Sequence, residues 1–391
     1  MTDEKLFLLD GLRCFIHGEK LNFDADIDLN ELIRLGSINS VSGIVGYMAM
    51  LSGEDKRARL PEILREQCFT IIAVFKKRAE LAQRVTDALS AAGIDHMLFK
   101  GYVLRRLYPV PELRSYGDVD ILIKPEDRRK SHELMLSLGF DKGTDWEPVY
   151  SYHKGAEEYE LHTEMMEDDI SGKVACREYF NTAWEHAVSV GEHTYEPTPE
   201  FHFLYLLAHI AKHIRSSGAG IRMYMDLAVF IREYGEAIDW EYIETELNAL
   251  KLRDFANLAL TVVEYAFHVK SPIALNRVEP DILESFMDFT VDGGTFGFVG
   301  RDSGLITLKT SKESSRAGIV MRRLFPKAET IESRYTYLQG RHWLLPAAWV
   351  HRFFKTSSAW SEHAEEARSI MNTDEKEVEK LKKIFGETGL E

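Results

Sequence analysis

The spacing of hydrophobic residues changes twice along the chain, near residue 93 and near residue 199, and few folds accommodate both changes. Apolar residues first recur at helical spacing, through Leu6, Leu9, Leu12 and Phe15, then Leu60, Ile63, Cys68, Ile71 and Phe75 toward Leu81 and Leu89. Gly93 supplies a helix stop, and short runs with alternation follow over 96–99 and 118–123. Pro125 opens a further helix through Leu134 and Leu138, and strands are predicted over 149–153 and 158–163. From Pro199 the helical period returns, over 200–214, 221–234 and 240–270. The order predicts an α/β (α+β) fold: a helical N-terminal region over 1–92, a small α/β or α+β unit over 93–195, and a mostly helical C-terminal domain over 196–391. A loop rich in Gly, Ser and Thr is expected over 297–318, and an exposed charged helix in the last thirty residues.

Charge narrows the function. The 63 acids and 48 bases leave a net charge of -15, which argues against a protein that coats nucleic acid. Seven carboxylates with no Lys or Arg crowd 155–169, so this segment either stays in solvent or holds a cation. The sign reverses over 309–355, where bases such as Lys309, Arg316, Arg322 and Arg341 alternate with aromatics. That pattern suits an acidic partner, or a solvated face over an aromatic core. The 3 cysteines, Cys14, Cys68 and Cys176, build neither a disulfide framework nor a four-ligand zinc site, so reduced, buried thiols are expected. Neither a transmembrane span nor a signal peptide is legible, and a cytoplasmic protein is expected.

Asp118 and Asp120 stand two apart in an otherwise apolar run, so on a strand both point to one face while Val119, Ile121 and Ile123 point to the other. Like charges this close repel, and a divalent cation relieves them; two solvated acids at a strand end would read the same. Magnesium suits such oxygen ligands and leaves positions for phosphates. Upstream, Lys100 and Gly101 end a strand and lead into a helix, where backbone N–H groups and an ammonium meet phosphate oxygens. Downstream, Glu158, Glu160 and His162 alternate with apolar residues. If that strand lies beside 118–123, Glu160 becomes the third carboxylate of a two-metal site for phosphoryl transfer.

The run from Gly93 through Lys100 and Gly101, then Leu107-Tyr108-Pro109, Arg114, Gly117-Asp118-Val119-Asp120 and Leu138-Gly139-Phe140 resembles the uncharacterised nucleotidyltransferase family of the polymerase-β-like superfamily. The likeness extends to Glu160-Leu161-His162 and, more loosely, to the helices on either side. It implies a nucleotidyltransferase core flanked by helical domains, magnesium (or manganese) at Asp118 and Asp120, and transfer of a nucleoside monophosphate from an NTP to a hydroxyl or amine acceptor. Two departures concern the phosphates and the acids: Tyr102 follows Gly101 where the superfamily has serine, and the third acid is Glu160 where many members use Asp. A catalytically inactive binding module with the same fold is the alternative. A nucleotide-sugar glycosyltransferase also uses Asp-x-Asp, but expects an α/β unit where this chain is helical.

Arg114, at the mouth of the predicted site, is read as a phosphate ligand or as an ion pair with Glu112. His202, His209 and His213 fall on one helical stripe, facing a nucleotide or simply packed; zinc is disfavoured because Ile210 stands where the metalloprotease motif has Glu. Arg222 and Asp226, four apart, are expected to pair, with phosphate as the other use of Arg222.

Overall fold

The computed structural model describes residues 1–22, 27–52, 62–216, 218–295, 297, 315–331, 336–338, 340–355, 368, 370–371 and 375–390. It divides into two compact units, Met1–Gly297 with Gly386–Glu391, and Phe298–Phe385.

In the larger unit, α1 (Asp3–His17), α2 (Leu29–Ile38), α3 (Ser42–Leu51) and α4 (Glu62–Ala91) precede a seven-stranded mixed sheet. Its strands are β1 (His96–Leu98), β2 (Asp118–Ile123), β3 (Asp141–Trp146), β4 (Val149–Lys154), β5 (Glu157–His162), β6 (Ala187–Gly191) and β7 (Thr194–Pro197), in the order β3-β4-β5-β2-β1-β7-β6. β2 runs parallel to β5 and β1 parallel to β7, and the remaining pairs are antiparallel. Within the sheet region lie three short or medium helices, α5 (Gly101–Leu104), α6 (Arg128–Ser137) and α7 (Arg177–Phe180). After it come α8 (Pro199–Ser216), α9 (Ile221–Tyr234), α10 (Trp240–Ala249), α11 (Arg253–Phe267) and α12 (Pro280–Asp292).

The alternation in β2 and β5 sorts side chains between the two faces of the sheet. Val119, Ile121, Ile123, Tyr159 and Leu161 form one buried cluster with Phe75, Ala82, Val85 and Leu89 of α4 and Met135 of α6. Cys68, Phe75, Ala82 and Leu89 recur every seven residues, which keeps one stripe of the long helix buried. Each large side chain buried there contributes about 1.5–3 kcal/mol of hydrophobic stabilisation. The opposite face carries Asp118, Asp120, Glu160 and His162, and Phe99 stands edge-on to both His162 and Tyr205 of α8, with ring centres 5.4 and 5.6 Å apart.

The central strands lie where alternation predicts them, whereas β3, β6 and β7 were not legible. β6 places Val188 and Val190 in solvent at the sheet edge, so its apolar residues do not mark a buried face. The acidic segment finds counter-charges from outside itself: Glu157 pairs with Arg78 at 3.1 Å and Glu164 with Arg177 at 2.7 Å. All three cysteines are free and buried, and burial pushes the Cys68 thiol up to about 11 and the Cys176 thiol up to about 12.

In the smaller unit, α13 (Arg316–Leu324), α14 (Ala328–Ile331) and α15 (Leu345–Lys355) precede α16 (Glu375–Gly386), which ends at the boundary with the larger unit. Tyr337 and Trp349 pack against a small cluster of Ile331, Leu338 and Ala348, so these aromatics of the basic stretch serve a local core. Most of the predicted loop over 297–318, the basic positions Lys309, Lys312 and Arg334, and part of the final thirty residues lie outside the described residues. No helix among the described residues is long and apolar enough to cross a membrane.

Candidate active site

Two-residue alternation puts Asp118 and Asp120 on one face of β2, and the parallel register sets Glu158 beside Asp118 and Glu160 beside Asp120. Asp120 is buried, with 2% of its side chain exposed, and its Oδ1 accepts two hydrogen bonds, from Lys100 Nζ at 2.6 Å and from His162 Nε2 at 3.0 Å. His162 Nε2 also lies 3.4 Å from Glu160 Oε2. Asp120, Glu160 and His162 are the residues whose ligand atoms lie within 4.8 Å of one another, a group that could hold a metal ion among the described residues. His162 was not singled out as a ligand in the sequence, although its position two residues after Glu160 on the same strand face was legible.

The electrostatics follow from this geometry. The charge of Asp120, and then burial, push the Asp118 carboxyl up to about 6 against the opposing effect of Lys100. Burial alone would raise Asp120 too, yet the Lys100 ammonium and the His162 hydrogen bond hold it well below the usual carboxylate range. Burial would likewise lower Lys100, but Asp120 outweighs it and the ammonium is held firmly protonated. His162 is raised: burial opposes its charge, while hydrogen bonds to Asp120 and Glu160 favour it. Lys100 was expected to face phosphate oxygens, and instead it is turned onto Asp120, because a carboxylate this deeply buried needs a counter-charge. Its backbone holds φ 56 and ψ -137, a conformation unfavourable for a residue with a side chain, at the junction of β1 and α5. The predicted helix after Gly101 is a single turn followed by a 3-10 segment, Arg105–Leu107.

Next to the acids lies a buried arginine cluster whose pairing corrects the sequence reading twice. Arg114 donates from Nε and Nη2 to the two oxygens of Asp226, at 3.1 and 2.6 Å, so its partner is Asp226 and not Glu112. Tyr108 donates its hydroxyl to Asp226 Oδ1 at 2.7 Å. Arg222, expected to pair with Asp226, donates Nη1 to the Ser115 carbonyl at 2.6 Å. The four-residue rule describes neighbours on an exposed helix surface, whereas α9 is buried from Ile221 to Ile231 and Asp226 is already satisfied from outside the helix. Burial, and then the nearby Arg114, push the Arg222 guanidinium down to about 10.

Both clusters open onto one cavity of about 360 Å³. Asp118, Asp120, Lys100, Gly101, Arg114 and Arg222 line it, as do His162, Met165 and Met166, while Glu160 does not. The histidine stripe divides. His209 and His213 line the cavity with ring centres 4.6 Å apart. Burial, joined by Lys100 and Lys212, pushes His213 down to about 4, and burial with His213 and Lys100 holds His209 well below its ordinary value. His202 packs edge-on against Phe230 at 5.4 Å, away from the cavity wall, and its Nε2 is buried without a hydrogen-bond partner among the described residues.

The model of a family described as uncharacterised nucleotidyltransferase matches residues 25–268, more than half of the chain. The solution structure of the antibiotic-resistance factor ANT(2'')-Ia, reported to show substrate-regulated conformation dynamics, aligns over 46% of this chain and 95% of its own, with 12% identity and a TM-score of 0.34. No curated protein matches the chain.

Proposed function

The chain belongs to the uncharacterised nucleotidyltransferase family, and from that premise we propose that it moves a nucleoside monophosphate from an NTP to an unidentified hydroxyl or amine acceptor. The observation that carries the proposal is the register of β2 with β5, which sets Glu160 beside Asp120 on the face that holds Asp118. The donor set suits a divalent cation: three carboxylates share one sheet face, and the Asp118 carboxyl is raised to about 6 mainly by the charge of Asp120, a repulsion a cation relieves. In this reading Asp118, Asp120 and Glu160 hold magnesium, with manganese as the other candidate, and His162 orients Asp120. When bound, the ion neutralises charge on the phosphates and on the attacking and leaving oxygens.

The remaining chemistry belongs to the chain. Lys100 and His162 keep Asp120 ionised and fixed in direction through its Oδ1. Glu160, partly exposed and 3.4 Å from His162 Nε2, completes the set of acids on this face. Gly101 lets the chain approach closely at the cavity wall, where a Cβ would meet Arg114 Nη1 at 2.4 Å and Tyr116 Cβ at 3.1 Å. His209 and His213, held neutral, line the cavity in which the nucleotide would lie. Arg114 is spent on Asp226, so its part is to position the wall. In the smaller unit, the exposed bases Lys327 and Arg341 suit an acidic partner.

The test is incubation of the purified chain with Mg²⁺ or Mn²⁺, α-labelled NTPs and a panel of hydroxyl and amine acceptors, reading labelled product and pyrophosphate. Product that vanishes in Asp120→Ala supports the proposal, and Mg-NTP binding unchanged in the double variant Asp118→Ala/Asp120→Ala sinks it. The ion pair of Lys100 with Asp120 favours a second reading, an inactive module in which an ammonium replaces the metal. Absence of Mg-NTP binding by calorimetry would select that reading.

A further inference from the structure

The cavity has a second pole that the transfer reaction leaves unassigned. Four cations line it, Lys100, Arg114, Lys212 and Arg222, and two of them are spent: Lys100 on Asp120 and Arg114 on Asp226. Arg222 is different. It is buried, with 9% of its surface exposed, yet it lies within 4 Å of no carboxylate among the described residues. Its Nη1 is satisfied by Ser115, its Nε is buried with no partner, and Nη2 has no acceptor among the described residues. A guanidinium hydrogen-bonds fully only to an acceptor that can take its remaining N–H groups, and an oxyanion is the ligand that matches its fork.

The backbone around Arg222 has the same polarity. Arg222 and Met223 sit in the first turn of α9, a helix of 14 residues, and both line the cavity. The N-cap is Gly220, which gives no side-chain hydrogen bond. A capping side chain is excluded there, because a Cβ on Gly220 would stand 2.6 Å from the Gly294 carbonyl oxygen and 2.8 Å from Thr295 Cα. Met223 N–H donates to the Gly220 carbonyl at 3.0 Å, and the amide end of α9 keeps its partial positive charge beside a buried guanidinium that has no carboxylate within 4 Å among the described residues. Lys212, half-buried on the same wall, adds a third positive contribution.

We infer that Arg222 and the first turn of α9 form an oxyanion seat that holds a phosphate-type group of a ligand in the cavity. The inference rests on that cavity being the ligand site, as proposed above, but requires neither metal nor turnover. The oxyanion has two possible sources, the phosphate tail of the nucleotide or an anionic acceptor.

The test is thermal melting and calorimetry of the full chain in magnesium-free buffer with inorganic pyrophosphate, since a ligand bound only by the native state raises the melting temperature. Pyrophosphate is expected to stabilise the wild type, to bind roughly ten-fold or more weakly to Arg222→Gln, and to recover in part in Arg222→Lys, the loss being that of a charge-assisted hydrogen bond. Lys212→Gln, a change at a half-buried side chain, is expected to weaken binding by a smaller factor and carries the comparison if Arg222→Gln fails to fold. Magnesium-free ATP separates the sources: if the seat takes the nucleotide's tail, Arg222→Gln weakens ATP as well and pyrophosphate competes with it. If the seat takes an acceptor's anion, ATP binds both forms alike and pyrophosphate binds alongside it. Pyrophosphate that leaves the wild type unshifted, or shifts the wild type and these variants equally, overturns the inference. A seat that binds pyrophosphate in a chain that forms no labelled product would sink the transfer reaction alone.

Discussion

Asp120 receives Lys100 and His162 on one oxygen, so changing it or either neighbour separates catalytic from structural roles. Asp120→Asn is expected to abolish product formation, whereas His162→Ala, which removes an orienting group, should cost roughly 10–100-fold in metal affinity or activity. Equal losses in the two would place His162 among the ligands. Arg114 and Asp226 are both almost fully buried, with 7% and 6% of their side chains exposed. Arg114→Met should therefore lower unfolding free energy in urea by about 3–5 kcal/mol, because it strands a buried carboxylate. Arg114→Met/Asp226→Leu should recover much of that loss, and no recovery would refute the pairing argument. His202 gives a pH signature. Burial, helped by Arg106 and opposed by Asp226, pushes its imidazole down to about 4. The unfolded chain binds that proton near pH ~6.5, so stability rises with pH between the two values and is lost as pH falls through that window, by on the order of 3 kcal/mol at most. In His202→Leu the melting temperature should fall less steeply with acid, and an unchanged slope would dismiss the effect. The residues that carry charge were legible one at a time: alternation alone assigned Asp118 and Asp120 to a common face. Arg114, Arg222 and Asp226 were also visible, but their partners were misread, because sequence spacing describes neighbours within an element and these contacts cross elements.

At the scale of elements, close approaches depend on residues with no side chain to obstruct them. Gly46 of α3 faces α4, where a Cβ would lie 2.6 Å from the Leu64 carbonyl oxygen and 3.1 Å from Cys68 Cβ. Gly46→Ala is thus expected to shift or separate the two helices at a cost of about 1–3 kcal/mol, read as a lower urea midpoint with the slope unchanged. An unaltered midpoint would mean that the helices have room to move apart. Strands with one buried face, β2 and β5, announced themselves by alternation, as did the helical stretches by their period. β3 and β6 did not, since peripheral strands take their conformation from the neighbour they bond to and need no apolar face of their own.

At the scale of the whole molecule, the larger unit buries one face of its sheet under α4 and α6 and turns the charged face toward the cavity. A ligand filling that cavity should raise the melting temperature, its added stability growing with the logarithm of concentration over dissociation constant and reaching about 2.7 kcal/mol at 100 times that constant. Mg-NTP is expected to produce that rise in the wild type and not in Asp118→Ala/Asp120→Ala, as checked by thermal melts over a concentration series. The sequence by itself determined the helical flanks, the central strands, the two faces of β2 and the family, because these follow from periods of two and 3.6 residues and from local motifs. Only the tertiary structure decided that Lys100 caps Asp120, that Arg114 takes Asp226 across 112 residues of chain, and that Arg222 has no acid within 4 Å among the described residues. A buried charge selects its partner by distance in space, and that distance exists only once the helices have closed over the sheet.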